Sequence, residues 1–262
     1  MENEEYRIMY QLERSYWWFL GKQHLVKDQL SRLLRGECGV PRILDIGSGT
    51  GIILKSLGDF GRAYGTDISW EAIDFLKKRN LSRIVCADAN QPLPFKDQCF
   101  SVVTCLDVLE HLDHDLDLLK EMLRVCREGG RILITVPAFK VFWSPHDAAL
   151  HHKRRYTRKG FLESLYHLNC KVLAVNYYNF LFSLPILAVR KMKALAYRKR
   201  HAQSDFFLNL PEFLNRTFAL LFKAEISLLP FLRYPFGISL LLILEKVGGK
   251  NVEAKEHGCF EA

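Results

Sequence analysis

The chain contains no run of about 18 uninterrupted apolar residues, so a membrane-spanning helix is not expected. It has no Cys-x-x-Cys pair either: its seven cysteines, Cys38, Cys86, Cys99, Cys105, Cys126, Cys170 and Cys259, are odd in number and scattered. Most sit inside apolar runs, which argues against a disulfide frame or a zinc site and for reduced thiols in a cytoplasmic protein. A basic and then apolar leader is missing, since Met1-Glu-Asn-Glu-Glu5 is acidic, and no secretory signal is expected. There is no internal repeat and no low-complexity segment, which sets aside fibrous and disordered classes.

What is present suffices for a core. With 262 residues and 49% hydrophobic content, the chain fits one α/β domain. Its net charge of +8 is unevenly placed, with Lys153-Arg-Arg155, Arg158-Lys159 and the run from Arg190 to Arg200 holding much of the excess. Such patches attract phosphate groups, acidic lipid surfaces or nucleic acid, although a solvated helix face has the same composition.

The stretch Arg42-Ile-Leu-Asp-Ile-Gly-Ser-Gly-Thr-Gly51 organises the rest. Arg42 to Asp45 reads as a short buried strand ending on a carboxylate. Gly47, Gly49 and Gly51 then allow a tight bare turn, and Ile52 to Leu57 returns to helical apolar spacing. A strand, a glycine turn and a helix start make a nucleotide-sized socket at the carboxyl end of a parallel sheet.

Around it, residues 4–35 carry apolar positions at helical spacing, read as two helices with a break near Gly21. The cluster Tyr16-Trp-Trp-Phe19 next to that break reads either as core packing against the sheet or as a lid of flat surfaces over a ligand. After Pro41 strands and helices alternate. Strands at 63–67, 84–88, 100–106 and 131–136 follow the first, the last entered through a tight turn at Glu128-Gly-Gly130. Helices are expected at 69–79, from Asp107 to about Arg127, and at 158–168. This rhythm predicts a doubly wound parallel sheet. Strands at 171–178 and 237–245 enclose about 58 residues (179–236) with apolar helical pieces at 180–189 and 218–232.

A dinucleotide site prefers G-x-G-x-x-G, but Ile52 stands where the third glycine would fall, and the turn follows an acidic residue. Asp45 suits an ammonium or hydroxyl group better than a pyrophosphate. Asp67, about 20 residues on, is placed for ribose hydroxyls, and Asp88 could accept from an adenine amino group. The set describes a nucleoside with an amino-acid arm and no phosphates.

Together, Asp45-Ile-Gly-Ser-Gly-Thr-Gly51, Gly65-Thr-Asp-Ile68, Cys86-Ala-Asp-Ala89 and Asp107-Val-Leu-Glu-His111 resemble the class I S-adenosylmethionine-dependent methyltransferases. The resemblance is strong over about residues 40–137. It implies a Rossmann-like seven-stranded sheet of order 3-2-1-4-5-7-6 with strand 7 antiparallel. By the same resemblance the cofactor is S-adenosylmethionine. Asp45 with Gly47, Gly49 and Gly51 would lie against its methionine part, Asp67 would bind the ribose and Ile68 would pack on adenine. Asp88 and Ala89 would meet the adenine edge, with Leu106, Asp107 and His111 near the methionine amine and pocket wall. The flanks Trp17-Trp-Phe-Leu-Gly-Lys22 and His146 through Thr157 resemble a prokaryotic type-11-like subgroup, which adds Trp18 and Lys22 to the cofactor set. Many members have Arg at the Lys22 position, and the forked geometry of a guanidinium is absent here.

The loop after strand five faces the methyl group in this fold. His146, His151 and Tyr156 are therefore the expected catalytic residues, and His152 and Arg155 the expected acceptor contacts. Asp107, Glu110 and His111 would share one face of a helix start, a spacing that suits a divalent ion. A similar Glu-x-x-Glu-His set holds magnesium in ubiquinone-type O-methyltransferases, but Asp stands first here. The expectation is no metal, with Glu110 capping or pairing nearby.

The chain thus reads as a single domain over 1–247, with residues 1–38 a helical lid, 179–236 a helical cap and 248–262 a loose tail. Methyl transfer to an oxygen of a small-molecule, lipid- or saccharide-linked acceptor is expected. No nucleic-acid partner is expected, because the basic runs lack a binding module; peripheral contact with an anionic membrane is expected from the insertion. The alternatives are an NAD(P)-binding oxidoreductase and a non-catalytic S-adenosylmethionine-binding, membrane-associated module.

Overall fold

The computed structural model describes residues 3–196 and 210–248. Arg198-Lys-Arg200 and the expected tail beyond Gly248 lie outside the described residues. Seven strands, β1 (Arg42–Ile46), β2 (Arg62–Asp67), β3 (Ile84–Cys86), β4 (Phe100–Leu106), β5 (Cys126–Pro137), β6 (Cys170–Tyr178) and β7 (Ser239–Lys246), make one sheet. Its order is β3-β2-β1-β4-β5-β7-β6, and β7 runs antiparallel to both of its neighbours while the remaining pairs are parallel.

The strand sequences explain why both faces are covered. Successive side chains point to opposite faces, and in the central strands both sets are apolar. Leu44, Ile46, Val103, Cys105, Ile132, Ile134, Leu240 and Leu242 enter one core, together with helices α5 (Asp115–Val125) and α7 (Arg158–Ser164). Ile43, Val102, Leu133, Leu241 and Ile243 enter the other, beneath α2 (Trp17–Leu33), α3 (Ile52–Leu57) and α9 (Glu212–Leu228).

The N-terminal helices break earlier than the apolar spacing implies. α1 (Asn3–Leu12) ends four residues before α2 begins, and Gly21 lies inside α2. The break follows from tertiary partners. The Trp17 backbone N–H at the start of α2 donates to Asn215 Oδ1 at 2.8 Å, so the helix start is capped from α9. Gly21 is needed for close packing instead, because a Cβ there would collide with the Phe222 ring. Trp17 is buried among Phe182, Phe218 and Phe222 of the segment between β6 and β7, so it packs on that insertion.

Three further boundaries differ. No continuous helix runs from Asp107 to Arg127: a 3-10 turn (Leu109–His111) and α5 are separated by Leu112–His114. β5 takes in the expected Glu128-Gly-Gly130 turn, because the chain bulges between the Phe100–Cys126 and Val102–Arg131 pairs and then resumes the ladder. In the insertion, α8 (Phe180–Ala196) starts with the expected piece at 180–189 and runs past it, and α9 begins six residues before the piece expected at 218–232 and ends four residues short of it. α4 (Trp70–Lys78) is capped by the Ser69 hydroxyl, and α6 (Pro145–Ala149) sits in the loop after β5.

Candidate active site

A cavity of about 590 Å³ opens at the carboxyl ends of β1, β2, β4 and β5. That is the size of a small-molecule site and the place where an α/β sheet offers one. Trp18, Lys22, Asp45, Gly47, Gly49, Gly51, Asp67, Ile68, Asp88, Ala89, Leu106, Asp107 and His111 all line it, as do His146, His151, His152 and Arg155.

The glycine turn is its floor. Gly47 and Gly49 hold left-handed backbone (φ +72° and +53°), and the Gly47 and Ser48 N–H groups both donate to the Thr66 carbonyl, at 2.8 and 2.9 Å. A Cβ on Gly47 would strike Val108. At Gly49 it would crowd the Met9 methyl at 3.1 Å. Asp67 accepts from the Gly49 N–H at 2.8 Å, from the Ser69 N–H at 3.0 Å and, more loosely, from the Tyr6 hydroxyl at 3.4 Å. A carboxylate has about four acceptor positions, so Asp67 retains room for a further hydroxyl. Asp45 is buried, accepts from the Thr104 hydroxyl at 2.6 Å, and has its carboxyl pushed up to about 7 by burial.

Lys22 lines the cavity, and its ammonium is engaged within the protein. Its ammonium donates to Asp107 Oδ2 at 2.6 Å, Thr135 Oγ1 at 2.7 Å and the Tyr178 hydroxyl at 2.8 Å, which uses all three of its protons inside the protein. Burial alone would push its pKa down, but Asp107 and Tyr178 outweigh that and raise it. Asp107 sits in left-handed backbone (φ +57°), a region Asp tolerates better than most residues, and its N–H donates to the Thr135 carbonyl at 2.9 Å. Lys22 therefore sets the direction in which Asp107 faces the cavity.

Sequence reasoning missed the contribution of α1. Tyr6, Met9 and Glu13 fall on one helical face and line the cavity. Glu13 is buried, accepts from the Thr50 hydroxyl at 2.6 Å and pairs with the Arg79 guanidinium. Arg79 Nε in turn donates to the Thr50 carbonyl at 2.6 Å. This buried pair pins the end of α1 onto the glycine turn. Spacing showed the helix; nothing local showed which face looks inward.

Tyr156 is a correction. It lies outside the cavity lining: its hydroxyl donates to Asp115 Oδ2 at 2.8 Å, its ring packs on Phe161, and its backbone bridges to residues 137–139. These contacts hold the loop to the domain. Arg155 lines the cavity, yet its guanidinium is engaged with Asp147 Oδ1 at 2.8 Å and the Ala138 carbonyl at 2.9 Å. The loop also brings Lys153 to the wall, and Arg190 of α8 joins it there.

The acidic cluster behaves differently from its helical reading. Asp107 precedes a 3-10 turn, and its carboxylate accepts from Lys22 and Thr135. Glu110 is fully buried, neither carboxylate oxygen has a hydrogen-bond partner among the described residues, and its Oε1 lies 3.9 Å from His152 Nε2. Burial first, and then Asp107, hold its carboxyl well above the usual range. Asp147, by contrast, accepts from Arg155, from His152 and from the Ser144 N–H. These hydrogen bonds outweigh its burial and hold its carboxyl well below the usual range.

Residues 44–134 match the family model described as a methyltransferase domain. Over 112 residues the chain is 32% identical to the ubiquinone/menaquinone biosynthesis C-methyltransferase UbiE of Burkholderia mallei, covering 40% of this chain and 45% of that protein. The chain spans between 40% and 55% of the length of the first curated relatives it matches. Among solved structures, it is similar to a Haloferax volcanii protein described as a methyltransferase and solved with the Trm112 methyltransferase activator. That match has TM-score 0.59 and 16% identity, over 92% of this chain and 93% of that one. A SAM-dependent methyltransferase from Archaeoglobus fulgidus matches at TM-score 0.53 and 20% identity, over 86% of this chain and 94% of that one. The motifs at the ends of β1, β2, β3 and β4 fall within or beside the stretch matched by the methyltransferase-domain model, and the sheet order is that of the methyltransferase fold.

Proposed function

We propose that this protein transfers a methyl group from S-adenosylmethionine to an oxygen of a small-molecule, lipid- or saccharide-linked acceptor. One observation carries the reading. Asp45, Asp67 and Asp107 converge on a single cavity whose floor is a side-chain-free turn at Gly49. Carboxyl groups at these strand ends favour hydroxyl and ammonium groups over a pyrophosphate, which disfavours the NAD(P)-dependent alternative.

The residues fit the cofactor chemically. The glycine turn presents bare backbone to the cavity, Asp67 has acceptor capacity left for a ribose hydroxyl, and Asp107 is aimed by Lys22 toward the cavity. When bound, the cofactor supplies a methyl carbon already activated by positive sulfur. The chain's own part is chiefly positional, since in-line displacement needs donor and acceptor about 3–3.5 Å apart and little acid–base help. His146 and His151, on the loop side of the cavity, are the groups proposed to take a proton from an acceptor hydroxyl. His152 and Arg155 are held by Asp147 and shape the wall on which the acceptor rests.

The insertion supports peripheral contact with an anionic membrane. Leu181 and Leu184 of α8, Phe213 and Leu220 of α9 and Phe231 are exposed, and no helix among the described residues is long and apolar enough to cross a membrane. Calorimetry with S-adenosylmethionine, S-adenosylhomocysteine and NAD tests the cofactor: NAD binding without sulfonium binding would refute the proposal. Labelled-methyl transfer into cell extract, divided into lipid and aqueous fractions, tests the acceptor, and label confined to nucleic acid or protein would contradict it. Flotation with anionic against zwitterionic vesicles tests the membrane contact.

A further inference from the structure

The buried Glu110 carboxylate, with no hydrogen-bond partner among the described residues, calls for a cation or a proton. Taking an ionised carboxylate out of water without a partner costs several kcal/mol. What surrounds it is specific. His111 is the next residue, and its ring lies 4.9 Å from that of His152, centroid to centroid. His152 comes from the loop after β5 and presents Nε2 at 3.9 Å from Glu110 Oε1. One ligand atom from each of Glu110, His111 and His152 lies within 4.8 Å of the others, and all three side chains line the cavity.

The second layer is built as well. His152 Nδ1 lies 2.9 Å from Asp147 Oδ1. An ionised carboxylate only accepts, so Nδ1 carries a hydrogen, and in the neutral imidazole Nε2 keeps its lone pair on the side of Glu110. Asp147 is itself fixed by Arg155 Nε at 2.8 Å and the Ser144 N–H at 2.9 Å. A carboxylate that orients a histidine whose other nitrogen faces an open site is the outer-layer arrangement of metal centres.

We propose that Glu110, His111 and His152 form a divalent transition-metal site in the wall of the cavity, with Asp147 orienting His152. The site excludes Asp107, which is committed to Lys22, and draws its third donor from a loop about 40 residues further along the chain. Two imidazoles and one carboxylate favour zinc, cobalt, manganese or iron over magnesium, which prefers an oxygen shell. Metal–nitrogen bonds of about 2.0–2.1 Å set neighbouring donors roughly 3–3.5 Å apart, so binding would draw the three side chains inward by about 1 Å. Three protein donors leave coordination positions open toward the cavity. If the methyl-transfer reading also holds, an acceptor oxygen is the group that would occupy one; the metal site itself stands without that reading.

The test is titration of the metal-stripped full chain with Co²⁺, followed by visible absorption and calorimetry, with Mg²⁺ in parallel and S-adenosylmethionine binding measured on the same samples. One equivalent of Co²⁺ is expected, displaceable by Zn²⁺ and bound far more tightly than Mg²⁺. Affinity should fall at least about 100-fold in Glu110→Gln and in His152→Ala, and about 10–100-fold in Asp147→Asn. Circular dichroism identifies any variant that fails to fold, and the remaining variants then decide. Absence of saturable Co²⁺ binding, Mg²⁺ binding of equal strength, or unchanged affinity in the folded Glu110→Gln and His152→Ala chains would overturn the site and leave Glu110 as a neutral, protonated acid. Co²⁺ binding without S-adenosylmethionine binding would support the site while refuting the proposed function, and the converse would separate them the other way.

Discussion

Replacing Lys22 with Met tests whether the cavity is organised by a buried cation. The Lys22 side chain is 8% exposed and that of Asp107 33% exposed, at a separation of 2.6 Å. Methionine keeps the approximate volume and removes all three donors, leaving Asp107, Thr135 and the Tyr178 hydroxyl without the ammonium. Breaking a buried ion pair from one side costs about 3–5 kcal/mol, and since Asp107 is one-third open to the cavity a discounted loss of about 2–4 kcal/mol is expected. For a chain of this size each kcal/mol corresponds to about 2–4 °C, so Tm should fall by roughly 4–16 °C. The sign with pH follows from the raised Lys22 value: its contribution is complete below the ordinary 10.5 and is lost only as pH rises through the folded value, so the deficit should be constant from about pH 6 to 9. Denaturant unfolding of Lys22→Met in the wild-type and Asp107→Asn backgrounds measures the coupling directly. In the Asp107→Asn background the loss should shrink to about 1 kcal/mol. Equal losses in both backgrounds, or a wild-type loss below about 0.5 kcal/mol, would show that the pair does not hold the site.

Glu13→Gln should destabilise the chain by about 3–5 kcal/mol, because it leaves the buried Arg79 charge unpaired, and Glu13→Met with Arg79→Leu should recover most of that; thermal melts of both variants check it. Asp67→Ala should weaken S-adenosylmethionine binding by about 1–3 kcal/mol in calorimetry, and unchanged affinity would remove it from the site. With its folded value near 7 against an ordinary 3.8, Asp45 keeps its proton longer in the folded chain than in the unfolded one. The unliganded chain should therefore lose about 2–3 kcal/mol between pH 5 and 7 from this group alone, and the loss should vanish in Asp45→Asn when denaturation is compared at the two pH values. Tyr156→Phe should cost about 1 kcal/mol of stability through the lost Asp115 hydrogen bond and leave the methyl-transfer rate constant unchanged; a large drop in rate would restore Tyr156 to the chemistry.

Much of the architecture was legible in the chain. Alternating apolar residues in the central strands, bare glycines at 47, 49 and 51, and carboxylates closing β1 and β2 are properties of a residue and its immediate neighbours, and they indicated a doubly wound sheet and the cavity's position, while the family resemblance supplied much of the rest of the expected lining. The break between α1 and α2 was misplaced because its cap comes from Asn215, 198 residues away, and Gly21 answers to Phe222 of another helix. The helix expected from Asp107 onward was misplaced because that residue takes left-handed backbone under the pull of Lys22 and Thr135.

Local pattern alone thus determined the class of fold and the nucleoside-shaped cradle, since backbone freedom and side-chain alternation depend on neighbours along the chain. Tertiary structure decided which polar groups face one another: Lys22 with Asp107 across 85 residues, Glu13 with Arg79 across 66, and His152 with Glu110 across two separate loops. Those pairings depend on burial, where a charge or lone pair must find a partner, and burial is a property of the folded whole.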